Sequence, residues 1–140
     1  MILGLAGCGP RFGELEPERF PIQRETPPNI KTLSLTIPRS QLATALEKDL
    51  LTNKIRVIEI YSAREVSTQP LYRLFDIAPG SVYELLGLRN ADVLVACNER
   101  YLRNADVFRQ YVRLLKGESR AKIEIMRGPQ AMLLDYTFTE

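Results

Sequence analysis

No histidine occurs among the 140 residues. Its absence removes the commonest general base and the commonest transition-metal ligand together, and most hydrolase and metal-site chemistries with them. Cysteine is nearly as scarce. Cys8 follows a short apolar segment at the N-terminus and Cys97 closes the apolar run Asp92–Cys97, so the two read neither as a disulfide framework nor as a metal pair. Long apolar runs are missing too: the stretch Met1–Cys8 is far too short to cross a bilayer as a helix. No charge of one sign dominates either. The net charge is +2, and the arginines of the second half are interleaved with aspartate and glutamate, which forms no basic stripe of the kind nucleic acid requires. What remains is an ordinary globular composition, 45% hydrophobic and 26% charged, in a chain of one-domain length. No cofactor and no small-molecule substrate are indicated.

Three regions differ in character. Residues 1–8 are small and apolar and end in Leu5-Ala6-Gly7-Cys8, which resembles the lipobox of bacterial lipoproteins and reads as the remnant of a signal segment. On that resemblance Cys8 is the lipidated residue, and Gly9 after it favours the outer membrane. Residues 9–30 hold five of the nine prolines, many charges and no apolar periodicity, and so form a tether. About twenty residues of extended proline-rich chain would span on the order of 60 Å.

Residues 31–140 carry the folded domain. Leu33, Leu35 and Ile37 alternate with Thr32, Ser34 and Thr36, a period of two that predicts a half-buried strand ended by Pro38. Leu42, Leu46 and Leu50 predict an amphipathic helix over 39–51, and the β-branched run Lys54–Tyr61 predicts a strand. Leu71–Phe75 is a further strand candidate. Pro79-Gly80-Ser81 reads as a turn into a short helix, with Ser81 and Glu84 spaced as a capping box and Gly87 placed to stop it. Residues 92–98 are apolar on both faces, as a buried central strand is. Asn104 caps a helix with Phe108, Tyr111, Val112 and Leu115 on one stripe and Arg109, Arg113 and Lys116 on the other. Ala121–Met126 and Met132–Phe138, separated by Gly128-Pro129, predict a closing hairpin. The order is mixed and largely antiparallel, an α+β pattern.

The segment from Ile77 to Asn98 resembles a bacterial PDZ domain. Pro79, Gly80, Ser81, Gly87, Leu88, Asp92 and Asn98 stand where that family has its Pro-Gly-Ser turn, short helix, Gly-Leu, aspartate and asparagine, and Leu102 and the helix from Asn104 follow at the matching distance. Ala91 and Glu99 stand where the family has glycine. The approach through Ile37–Leu46, Lys54–Ile58 and Leu71–Leu74 is most similar to the PDZ-bearing C proteins of type II secretion systems. The resemblance implies a small, partly open β-barrel or sandwich with two or three helices, and structural turn roles for Pro79, Gly80, Gly87, Asp92 and Asn98. It also implies a partner or peptide groove between the strand Leu71, Tyr72, Arg73, Leu74, Phe75 and the helix carrying Phe108 and Tyr111. Pro70–Leu74 would then occupy the place of the glycine loop that captures a free C-terminus, and proline offers no N–H for that task.

Each of these residues has a plainer reading beside it. Arg73, Arg109 and Arg113 are either a cationic rim or solvated arginines; Leu74, Phe108 and Tyr111 line a pocket or fill a core. Asp92, Glu99 and Asp106 form no acid–base pair by spacing. The sequence therefore points away from an enzyme. The leading expectation is a lipid-anchored scaffold or adaptor on the periplasmic face of the cell envelope, docking onto a secretin or ring component of a secretion or other trans-envelope machine. The alternative is a regulatory peptide sensor acting with a periplasmic protease.

Overall fold

The alternation Leu33-Ser34-Leu35-Thr36-Ile37 becomes strand β1, Lys31–Pro38, in the computed structural model, which describes residues 27, 29–52, 55–60 and 70–140, with 49–52 as backbone only. Cys8, residues 1–8 and most of the tether lie outside the described residues. Pro38 is followed directly by helix α1, Arg39–Thr52. Then come β2, Arg56–Ile60, β3, Leu71–Phe75, and the single-turn helix α2, Val82–Leu85. β4, Val93–Cys97, helix α3, Ala105–Leu114, β5, Arg120–Arg127, and β6, Gln130–Thr139, complete the chain.

Six strands form one open sheet in the order β1-β6-β5-β4-β3-β2. The α+β class and the partly open β architecture expected from the sequence are observed. Neighbours pair antiparallel except β1 and β6, which run parallel from Lys31 beside Met132 to Pro38 beside Thr139. Between β4 and β5 the register shifts at Leu94 to Ala96, an irregularity that bends the strand.

All three helices pack on one face. Leu42 and Leu46 of α1, Val82 and Tyr83 of α2 and Val107, Phe108 and Tyr111 of α3 share a core with Tyr72, Leu74, Leu94, Ile123 and Leu134 of the sheet. The opposite face carries a smaller apolar cluster of Leu71, Val93, Val95, Ala96 and Tyr101. Every residue of β4 is buried because it serves both faces.

Local chemistry sets the turns. The Ser81 side chain accepts from Glu84 N–H, and Glu84 Oε1 accepts from Gly80 N–H, which together satisfy the start of α2. Its end is a Schellman closure: Gly87 N–H donates to Glu84 O and Leu88 N–H to Tyr83 O, with Gly87 at φ +80°. In the closing hairpin Arg127 pairs with Gln130 across Gly128-Pro129. Gly128 is at φ +60° and the proline ring holds the next φ negative, the II′ arrangement that suits the twist of two strands.

Candidate functional site

The strand expected to line a groove is an interior strand. β3 is flanked by β2 on one side and β4 on the other, so Leu71–Phe75 offers no free edge. Its alternate side chains are spent on packing: Tyr72 and Leu74 are buried in the helical core and Leu71 in the smaller cluster, while Arg73 is exposed and Phe75 half-buried. Phe108 and Tyr111 are fully buried on the core stripe of α3. The groove expected at these residues is not open in the structure: the aromatic spacing of Phe108 and Tyr111 marks core, and Leu71–Phe75 form an interior strand.

Among the described residues the sheet ends on this side at β2. Val57 leans on the core, whereas Arg56, Ile58 and Glu59 are exposed, Ile58 at 38%. Opposite them on β3 stand Phe75, Arg73 and Tyr72. Arg56 lies over the Phe75 ring, 5.3 Å from its centroid, with Asp76 Oδ2 3.3 Å from its Nε. Helix α3 reaches the start of this strand through Arg109. Its Nη2 donates to Ile55 O at 3.1 Å, and its Nη1 lies 3.2 Å from Asp106 Oδ1. Arg109 is therefore half-buried and structural, while Arg113 is exposed.

The turn residues serve the frame around this edge. Asp92, 2% exposed, accepts from Arg89 N–H and takes Arg127 in a two-pronged pair, Nη2 to Oδ2 at 2.8 Å and Nε to Oδ1 at 3.0 Å. That bond raises the Arg127 pKa above its ordinary value. Asn98 Oδ1 accepts from Lys122 N–H and sits 3.1 Å from the Tyr111 hydroxyl. Asn98 and Glu99, at φ +47° and +67°, form the two-residue loop between Cys97 and Arg100. Gly80 at φ +79° follows the exposed Pro79.

Chemistry of reaction finds little here. Burial pushes the Cys97 thiol well above its ordinary pKa, which keeps it from being a nucleophile. Among the described residues no three of His, Cys, Asp and Glu are grouped to hold a metal ion, and no helix is long and apolar enough to cross a membrane.

No family model and no curated protein matches the chain. Among solved structures it is similar to a PDZ domain. That domain is the one of EpsC from Vibrio cholerae, with 19% identity and a TM-score of 0.42, covering 71% of this chain and 91% of that one. A shorter segment of the same domain gives 18% identity and a TM-score of 0.38, with coverage of 61% and 94%.

Sequence reasoning missed two features. Arg127 carries no pattern that ties it to Asp92. The edge position of β2 did have a signal, because its five residues include Arg56 and Glu59, and charge within a short strand is how exposed edges are guarded.

Proposed function

We propose that the chain is a non-enzymatic protein-interaction module of PDZ type that takes a partner segment along β2. The observation that supports this most directly is the sheet order: β2 has a strand on one side only among the described residues, with α3 beside its start. An extended partner segment added there would continue the sheet on the side of β2 away from β3 and set side chains against Ile58. In the fuller form of this proposal Cys8 bears a lipid on the periplasmic face, with the outer membrane favoured. Residues 9–30 then act as a tether, and the domain is an adaptor docking onto a secretin or ring component of a secretion machine.

The peptide-sensor alternative needs a free carboxylate to be captured at the start of β2. The guanidiniums of Arg109 and Arg56 near that point are already engaged, the first by Ile55 O and Asp106 and the second by Asp76. Partner binding by the strand alone needs no such capture.

A photo-cross-linking residue at Ile58, in cells carrying the full chain, tests the proposal. The expected product joins the chain to a ring or secretin subunit, and a matched residue at Lys116 gives none. Cross-linking at Ile58 only to the C-terminal tail of a protease or its substrate would replace the adaptor with the sensor. No product at Ile58 above the Lys116 background would end both. Cys8→Ser is expected to release the folded domain from membranes; an unmodified Cys8 thiol in native membranes, by mass spectrometry, would remove the anchor.

A further inference from the structure

The sheet has a second end, and it is β1. Beyond β1 no further strand is paired among the described residues. Edge strands are ordinarily guarded by charge, proline or a bulge, because unpaired N–H and C=O groups invite another strand. Between Thr32 and Ile37 β1 has none of these: charge stops at Lys31 and proline waits until Pro38. Leu33 is 38% exposed on the face that carries Leu35 and Ile37. It stands at the rim of a hollow of about 490 Å³ that Leu35, Ile77 and Leu88 also line.

The order of residues along this edge indicates what covers it. Thr32-Leu33-Ser34-Leu35-Thr36 reads the same in both directions. A two-fold axis normal to the sheet, level with Ser34 and beyond the outer edge of β1, lays β1 of a second copy antiparallel to the first. Ser34 then faces Ser34 of the other copy, Leu33 faces Leu35, and Thr32 faces Thr36. The strand period of two keeps each set on its own face. On the helical face the leucines of both copies gather over the exposed Leu33, and on the other face hydroxyl meets hydroxyl, a stabilising cross-strand combination. No like charges are opposed, since Lys31 falls opposite Ile37.

We propose that two copies of this chain associate through β1, in an isologous pair that joins their sheets into one. The inference does not rest on the function proposed above: it uses the opposite end of the sheet, which leaves β2 free for a partner. A contact of one short strand per copy is smaller than the roughly 1,200–2,000 Å² of a stable interface. Association in the micromolar range is therefore expected.

Disulfide trapping in a full-length Cys8→Ser background, where the remaining Cys97 is buried, reads the register directly. Ser34→Cys is expected to give a covalent dimer under mild oxidation, because facing Cα atoms in an antiparallel pair lie within disulfide reach. Thr32→Cys and Thr36→Cys should each cross-link poorly alone and efficiently when mixed. Sedimentation of the unmodified chain should show a concentration-dependent dimer. Ser34→Lys should weaken it at least tenfold with an unchanged circular dichroism spectrum, since Ser34 is exposed and sits beside Asp135 of β6. The proposal is overturned if the chain stays monomeric to millimolar concentration. It is equally overturned if Ser34→Cys cross-links no faster than the exposed control Lys116→Cys, or if equal efficiency at Thr32 and Thr36 alone shows that no register exists.

Discussion

Arg127 grips Asp92 with two parallel hydrogen bonds, and its Nη2 also donates to Gly87 O at 2.8 Å, so one side chain ties the last hairpin to the close of α2 and the entry of β4. The carboxylate is buried, while the Arg127 side chain keeps 20% of its surface in solvent. Removing the arginine therefore strands a charge more severely than removing the aspartate. Arg127→Ala is expected to cost about 3 kcal/mol, the low end for breaking a buried pair, and Asp92→Ala about 1 kcal/mol less. Urea denaturation of both single variants and the double variant checks this. A double variant that costs the sum of the singles would show that the two residues do not act as a pair.

Ala91 and Glu99 hold φ values of +73° and +67°, in the left-handed region that costs a side-chain-bearing residue roughly 1–2 kcal/mol. Glycine relieves this but returns part of the gain through the freer unfolded chain. Ala91→Gly and Glu99→Gly should each stabilise by about 0.5–1 kcal/mol, the latter less because Glu99 also meets Lys122 at 3.4 Å. The denaturation midpoint should rise with its slope unchanged; a fall at both positions would contradict the strain.

Burial pushes the phenols of Tyr111 and Tyr136 well above their ordinary value. A group whose folded pKa is raised contributes stability that is full below the unfolded pKa, about 10 for tyrosine, and is lost as pH climbs beyond it. The fold should hold to about pH 10 and weaken steeply above. Tyr136→Phe should flatten that alkaline decline while giving up the hydrogen bond to Leu86 O. Ionisation followed at 295 nm should show these phenols appearing only with unfolding.

Two arginines on the same helix separate packing from solvation. Arg109→Ala removes the bond to Ile55 O and should cost about 1.5 kcal/mol, the lower range for a charged hydrogen bond. Arg113→Ala, on an exposed position, should stay within about 0.5 kcal/mol. Thermal melts giving equal losses would dissolve the link between α3 and β2.

Local order was readable wherever one face of an element is buried. The alternation at 33–37, the stripe Phe108-Tyr111-Val112-Leu115 and the capping residues Ser81, Asn104 and Gly87 all predict elements at the positions where they occur. Pairing was not readable. Nothing in β1 announces that it lies parallel to β6, and the apolar run Leu71–Phe75 gives no sign of which neighbours it has, because strand order is a long-range property. The site expectation failed for that reason. A β-rich apolar strand with one charge reads equally as groove wall or as interior, and only sheet order decides. Helical spacing puts Arg109 on the solvated stripe, and spacing alone cannot see that the carbonyl of Ile55 lies within its reach.

The parallel ladder of β1 on β6 sets the order in which the domain can be finished. Lys31 is made long before its neighbour Met132, so on the ribosome β1 has no ladder to join until β6 has emerged. Contacts of such sequence separation pay their loop-closure cost before they gain anything, which slows folding. The segment Thr32–Ile37 therefore passes through synthesis with both of its edges open, and an uncharged strand in that condition is the part of this chain most exposed to misassembly before its native neighbour arrives.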